Sequence, residues 1–124
     1  MVGTEGKHFI LDLWDAPKGV LNNYRFIRNT MLKAAEYAKI QVIQSNFHKF
    51  KPSGISGYVL IAESHISIHT WPNEGYASID IYTCGNKAFP GEACKYLIAQ
   101  FGAKEYELKQ ITRGISTTRR MQID

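Results

Sequence analysis

Residues 63–85 read ESHISIHTWPNEGYASIDIYTCG, and this stretch decides the fold of the chain. Two runs within it alternate between apolar and polar side chains, which is the period-two pattern of half-buried β-strands. A Pro-Asn-Glu-Gly turn at residues 72–75 separates the runs, so the stretch predicts a β-hairpin. One face of the hairpin is aliphatic, whereas the other carries histidine, serine, aspartate, tyrosine and cysteine. The polar face is therefore the first candidate for a functional site.

The flanking segments predict a sheet that is covered by helices. Further strands are indicated by β-branched and aromatic runs at residues 7–14, 40–50, 55–63 and 104–112. A first helix is expected after Asp15, its predicted N-cap, because apolar residues then recur at steps of three and four: Val20, Tyr24, Ile27, Met31, Ala35 and Ala38. A second helix is predicted to begin at Pro90 and to end at Gly102. The order β-α-β-β-β-β-α-β predicts an α+β fold, a two-layer α/β sandwich whose mostly antiparallel sheet has two helices on one face.

The length of the chain indicates one domain, residues 1–124, without repeats, low-complexity tracts or a linker. Helices on one side of a sheet leave its other face to be covered. A second copy of the chain could provide that cover, and we therefore expect the sheets to be paired in a homodimer.

Composition and charge exclude several classes of protein. The apolar share of 44% and the charged share of 21% are typical of a globular domain, and no apolar run approaches the ~20 residues of a membrane span. The net charge of +4 is concentrated in residues 18–39, where it predicts a solvated helix face rather than a nucleic-acid site. Cys84 and Cys94 form no CxxC motif, which favours a reduced compartment, and we expect a cytoplasmic protein.

Three common kinds of site fit the polar face poorly. His65 and His69 would form a metal pair on a helix, but on a strand they lie ~13 Å apart and cannot share an ion. Ser64, His69 and Asp80 could form a hydrolase triad, yet there is no GxSxG motif to expose the serine. The GISG run at residues 54–57 matches neither the Walker nor the dinucleotide pattern of phosphate loops.

A longer set of motifs resembles one known family. The sequence is similar to the small prokaryotic S-adenosylmethionine decarboxylases in ESH at residues 63–65, HTWP at 69–72, GYA at 75–77 and TCG at 83–85. The resemblance extends over most of the chain, including GKH at residues 6–8, the segment 47–50 and GISG at 54–57.

The resemblance implies an enzyme that makes its own cofactor, a pyruvoyl group, and needs neither pyridoxal phosphate nor a metal. In that family a serine hydroxyl attacks the carbonyl of the preceding glutamate, and elimination and hydrolysis then leave the pyruvoyl group. Mapped onto this chain, the bond between Glu63 and Ser64 would break to give chains of residues 1–63 and 64–124. The group derived from Ser64 would then form a Schiff base with the substrate amine.

The resemblance also implies roles for the surrounding residues. His69 matches the base that removes the serine α-proton during processing, which suits an imidazole whose pKa lies near neutrality. Ser56 matches the residue that assists the processing intermediate, and Cys84 matches the proton donor of the decarboxylation. Phe50 and Trp71 match aromatic positions that flank the adenine and the sulfonium of the substrate.

The substrate remains open at this point. The residue after Trp-Pro is commonly a glutamate that accepts hydrogen bonds from the ribose, but here it is Asn73, and Glu74 follows one place later. S-adenosylmethionine is the first expectation, for a role in polyamine biosynthesis. Relatives that decarboxylate arginine or ornithine make these amino acids the alternative, with Glu74 as a partner for the distal cation. A binding domain without enzymatic activity is the third hypothesis.

Overall fold

The computed structural model describes residues 3–62, 64–85, 88–115 and 120–123. These residues form six strands, three helices and one 3₁₀ turn, which follow one another as β1 (Gly6–Trp14), α1 (Lys18–Leu21), α2 (Tyr24–Tyr37), β2 (Val42–Lys49), β3 (Ile55–Ile61), β4 (Ser64–Trp71), the turn Pro72–Glu74, β5 (Tyr76–Cys84), α3 (Pro90–Gln100) and β6 (Glu105–Arg113). The predicted order of strands and long helices is confirmed.

All neighbouring strands of the sheet run antiparallel, in the order β2-β3-β4-β5-β1-β6. Helices α2 and α3 pack against each other and against one face of this sheet. The predicted α+β class, with an antiparallel sheet and helices on one side, is therefore confirmed. The pairing of two such sheets in a dimer stays a prediction.

Strands β4 and β5 lie in the middle of the sheet and divide it into two chemically different faces. Ile66, Ile68, Ile79 and Ile81 are at most 1% exposed beneath the helices. Burial of each such side chain contributes about 1.5 to 3 kcal/mol to folding. The residues between them point to the opposite side of the sheet, which we call the open face, and are less buried.

The first helical region differs from the prediction. Asp15 is not an N-cap, because it adopts a left-handed conformation with φ of 57° and α1 starts only after Pro17. The apolar stripe of residues 20–38 is divided between α1 and α2. Asn23 caps the second of these helices, since its side-chain oxygen accepts a hydrogen bond from the Phe26 N–H at 3.0 Å. Such a cap satisfies a free amide of the first turn and allows a new helix to start there.

The third helix begins and ends where the sequence predicts. Pro90 is its first residue, a position where the missing N–H of proline has no intrahelical partner to lose. Gly102 follows the last turn with φ of 67°, a conformation that glycine adopts without a steric penalty. Neither this helix nor any other in the described ranges is long and apolar enough to cross a membrane.

Phe47 of β2 is in close contact with Gly57 of β3, next to Ser56. Phe47 lies opposite Gly57 in the strand register. Its ring fills the space into which a Cβ atom on Gly57 would project, and its edge meets the ring of Tyr24 at 6.4 Å. Glycine is therefore required beside Ser56 because an aromatic ring takes the place of its side chain.

We expect Gly57→Ala to lower the free energy of unfolding by about 1 to 3 kcal/mol, because the new methyl group overlaps the buried Phe47 ring. Urea unfolding followed by circular dichroism measures this change. Gly19→Ala is the matched control, since nothing lies within 4 Å of a Cβ atom at that helical position. An equal loss of stability in both variants would contradict the steric explanation.

Candidate active site

Ser64 and Cys84 meet at one end of the sheet, which we call the cleavage end. Ser64 is the first residue of β4, and its side chain lies on the helix-facing side with 8% exposure. Its Oγ accepts a hydrogen bond of 3.2 Å from the backbone N–H of Cys84, the last residue of β5. The residues predicted as pyruvoyl precursor and as proton donor are thus neighbours. Glu63, the predicted acyl residue, lies outside the described residues.

Ser56 and His69 form a second pair, which we call the histidine end. They lie opposite each other on β3 and β4, and Ser56 Oγ is 2.7 Å from His69 Nδ1. This hydrogen bond fixes the orientation of the imidazole on the open face. Because Nδ1 is engaged by the serine, proton transfer between His69 and another group would use Nε2.

The two ends are far apart within one chain. Ser64 and His69 are separated by five residues of β4, which corresponds to about 16 Å at the rise of an antiparallel strand. Their side chains also leave opposite faces of the sheet. Ser64 and Cys84 therefore cannot contact Ser56 and His69 of the same chain. For the same reason Ser64, His69 and Asp80 do not assemble into a hydrolase triad.

A cavity of about 330 Å³ opens beside the histidine end. Its walls include the rings of Phe50 and Trp71, which are 46% and 47% exposed, and the polar residues Asn73 and Glu74 of the 3₁₀ turn. The volume falls at the lower end of the range of ~300 to 1,000 Å³ that is typical of small-molecule sites. All four residues that were predicted to bind substrate thus line one cavity.

A second cavity of about 350 Å³ adjoins the first along the open face. Ser56 and His69 line both cavities, so the hydrogen-bonded pair stands between them. The other walls come from β2, β3 and β4: Asn46, Phe47, His48, Gly57, Tyr58 and Ser67. The pair is therefore accessible to groups that approach from either side.

Two polar side chains that sequence reasoning missed hold the first cavity in shape. Thr70 Oγ1 accepts a hydrogen bond from the Ile55 N–H and donates one to the Leu21 carbonyl, both at 2.9 Å. Asn22 Oδ1 accepts a hydrogen bond from the Gly54 N–H at 3.0 Å. Helix α1 is thereby tied to the strands that carry the site. The one available signal was a threonine that follows two isoleucines on the helix-facing side of β4.

A group of ionisable residues, also missed, lies on the open face near the cleavage end. His8 Nε2 is 3.4 Å from Asp80 Oδ1, and the Tyr82 ring lies between His8 and His65 at centroid distances of 5.6 and 6.0 Å. The Arg113 guanidinium stacks over Tyr82 at 5.2 Å. Burial lowers the pKa of His65; Asp80 opposes this shift, whereas His8 and Arg113 add to it.

Among the residues that the structure describes, no group of three or more histidine, cysteine, aspartate or glutamate side chains could hold an ion. Cys94 is a buried residue of α3, and burial raises the pKa of its thiol to about 11. That thiol belongs to the core and is unsuited to proton transfer near neutral pH.

Comparison with known proteins gives one consistent result. A family model described as S-adenosylmethionine decarboxylase matches residues 7–114. The chain is 46% identical over 114 residues to an S-adenosylmethionine decarboxylase proenzyme of Thermococcus kodakarensis, which covers 92% of this chain and 80% of the relative. It is 44% identical over 108 residues to the proenzyme of Prochlorococcus marinus, covering 87% and 86% of the two chains.

The fold is also similar to a solved structure. The crystal structure of the adenosylmethionine decarboxylase from Aquifex aeolicus superposes with a TM-score of 0.84 at 36% sequence identity. The match covers 98% of this chain and 100% of the other chain. The similarity therefore extends over the whole sheet and both long helices.

We expect the stability of the protein to fall as the pH is lowered through 6.5, the ordinary pKa of His65. Burial lowers this pKa in the folded state, so the unfolded chain binds more protons in that range, and protonation favours unfolding. Urea unfolding between about pH 8 and pH 5 measures the dependence, which His65→Gln should flatten. His48→Gln, on the edge strand β2, is the matched control. A wild-type dependence in His65→Gln would contradict the assignment.

Proposed function

The chain belongs to the S-adenosylmethionine decarboxylase family, and from that premise we propose that it cleaves itself and decarboxylates S-adenosylmethionine. The product would be decarboxylated S-adenosylmethionine, a donor for polyamine synthesis. The observation that best supports this function is the Ser56–His69 pair at the mouth of an aromatic cavity. The agreement of the relatives favours this substrate over arginine or ornithine.

Ser64 fits the role of pyruvoyl precursor. Its hydroxyl oxygen is held by the Cys84 N–H at the start of a strand, directly after the turn at Ala62. A nucleophile that is fixed in this way loses little freedom when it attacks the preceding carbonyl. We infer that cleavage occurs between Glu63 and Ser64, giving chains of residues 1–63 and 64–124.

Self-cleavage would proceed by an acyl shift, an elimination and a hydrolysis, which require residues of the protein and one water molecule. The Ser64 oxygen attacks the Glu63 carbonyl carbon, and the amide bond breaks, leaving an ester and a free amine. His69 then takes the α-proton of residue 64, and Glu63 departs as a carboxylate. Water replaces the nitrogen, which leaves as ammonia, and a pyruvoyl group remains at position 64. The Ser56 hydroxyl would stabilise the oxyanion of the first step.

The distance between the two ends of β4 implies that a complete site needs two chains. His69 is about 16 Å from Ser64 of its own chain, too far for proton transfer. A homodimer in which the two sheets pair about a two-fold axis could bring the cleavage end of one chain to the histidine end of its partner. We infer that each active site combines Ser64 and Cys84 of one protomer with Ser56 and His69 of the other.

The first cavity offers contacts for each part of S-adenosylmethionine. Phe50 and Trp71 present ring faces that can stack on adenine or lie against the sulfonium, a contact worth about 0.5 to 2 kcal/mol. Asn73 and Glu74 present an amide and a carboxylate that can accept hydrogen bonds from the ribose hydroxyls. An amino acid without a nucleoside would leave the aromatic walls unused.

The same residues would then have separate roles in the decarboxylation. The pyruvoyl group supplies an electron sink for the bonding pair that remains when carbon dioxide departs. The Cys84 thiol would return a proton to the carbon that lost its carboxylate, and the bond from the Cys84 N–H to Ser64 Oγ makes the two residues neighbours. His69 and Ser56 would line the entrance through which the amino acid part of the substrate passes.

We expect the purified chain to appear as two fragments on a denaturing gel and to release carbon dioxide from S-adenosylmethionine but not from arginine or ornithine. Ser64→Ala should remain a single band without activity, because alanine has no hydroxyl to attack Glu63. Ser45→Ala is the matched control, since this serine lies on the edge strand β2 and lines neither cavity. An uncleaved wild-type chain, or turnover of a free amino acid alone, would overturn the proposed function.

We expect co-expressed Ser64→Ala and His69→Ala chains to restore activity that neither variant shows alone. In a mixed dimer, one site combines an intact Ser64 with an intact His69, while the other site lacks both. Random pairing makes half of the dimers mixed, so activity should reach about one quarter of the wild-type value. A gel should show cleavage of the His69→Ala chain only in the mixture. Cleavage of His69→Ala alone would contradict both the composite site and the role of the histidine.

A further inference from the structure

We propose that Asp12, Tyr76 and Trp14 are positioning residues that fix the ring of Trp71 in the wall of the substrate cavity. The inference rests on the proposed function, because it assumes that the cavity beside His69 receives the nucleoside of the substrate. None of the three positioning residues lines that cavity. They would act on the substrate through Trp71.

Three rings form a continuous line across the open face, and we call Trp71, Tyr76 and Trp14 the aromatic row. Trp71 and Tyr76 lie opposite each other on β4 and β5, with ring centroids 5.2 Å apart and an interplanar angle of 32°. Tyr76 stacks on Trp14 of β1 at 4.3 Å and 30°. Rings offset at such distances attract each other beyond the apolar area that they bury. Trp71 is therefore the end member of a stack that spans three strands.

One short hydrogen bond anchors the middle of the row. The Tyr76 hydroxyl donates to Asp12 Oδ1 at 2.6 Å, a length typical of a bond to a charged acceptor. Burial, followed by the bond to Asp12, raises the pKa of Tyr76 to about 12, so the phenol keeps its proton at neutral pH. The hydrogen bond thus restricts the position of the Tyr76 ring, and Tyr76 in turn orients the Trp14 and Trp71 rings that contact it.

Packing of the core does not account for this arrangement. Trp14 and Trp71 are both 47% exposed and lie on the face away from the helices. Of the three rings only Trp71 lines the cavity, together with Phe50. A stacking wall binds a flat base best when its own ring is already oriented, because less freedom is then lost on binding. The row supplies that orientation.

The proposal predicts a specific kinetic signature. Loss of the anchor should weaken binding of the substrate and of the transition state to the same degree, which raises KM and leaves kcat unchanged. We expect Tyr76→Phe and Asp12→Ala each to raise KM for S-adenosylmethionine about threefold to tenfold, the range that follows from losing one such hydrogen bond. Asp12→Asn keeps an oxygen that can accept the bond and should stay within about twofold of wild type.

Self-cleavage and a matched tyrosine provide the controls. Cleavage on a denaturing gel requires no substrate, so it should be complete in all these variants. Tyr37→Phe removes an exposed phenol oxygen from α2, on the opposite side of the sheet from the aromatic row, and should leave KM unchanged. An unchanged KM in Tyr76→Phe and Asp12→Ala would overturn the proposal. A loss of kcat or of cleavage in those variants would also overturn it, because it would show a structural or catalytic role.

Tryptophan fluorescence tests the row independently of catalysis. The chain has two tryptophans, Trp14 and Trp71, and both belong to the aromatic row. In Trp14→Phe, which keeps a ring in the stack, 5′-methylthioadenosine should quench the emission of Trp71. Adding Tyr76→Phe should raise the concentration needed for half-quenching by the same factor as KM. Equal quenching curves for the two proteins would overturn the role of the aromatic row. A wild-type enzyme that releases no carbon dioxide from S-adenosylmethionine would refute the proposed function, and the quenching curves would still test the row.

Discussion

The whole structure depends on the alternation of side chains along the central strands β4 and β5. Most of their helix-facing positions are aliphatic because α2 and α3 exclude water there, and this requirement fixes the register of both strands. A shift of one residue would bury His69 and expose Ile68, at the cost of an unpaired polar group in the core. The positions in between are free of that constraint. Of the candidate catalytic residues, Ser56, His69 and Cys84 therefore lie on the open face, whereas Ser64 lies on the helix-facing side.

The same strands act as rigid spacers, and this rigidity has consequences for function. A β-strand cannot fold back on itself over five residues, so the hydroxyl of Ser64 and the imidazole of His69 stay about 16 Å apart in every arrangement of one chain. In the proposed dimer this separation becomes an advantage. A protomer that folds alone would lack His69 near its own cleavage site. Self-cleavage would therefore occur only after the dimer has formed.

The sequence predicted the elements of this fold well because their patterns are local. The period of β4 and β5 was unambiguous, and proline and glycine marked both ends of α3. The N-cap at Asp15 was wrong because backbone conformation after a strand depends on how the chain packs, and Asn23 offered a better cap. Local sequence patterns could not predict contacts between strands that are distant in the sequence. The bond from Tyr76 to Asp12 joins residues 64 positions apart, and only the strand order brings them together.

Strand order also explains how the chain could tolerate a cut at its centre. Residues 1–63 contain β1, β2 and β3, whereas residues 64–124 contain β4, β5 and β6. In the sheet, β1 lies between β5 and β6, so each fragment is hydrogen-bonded to the other along three strand pairs. Helices α2 and α3, one from each fragment, bury a shared core. Cleavage would remove one peptide bond and none of these contacts. The fold can therefore provide a new chain end at position 64 without losing the surface that binds the substrate.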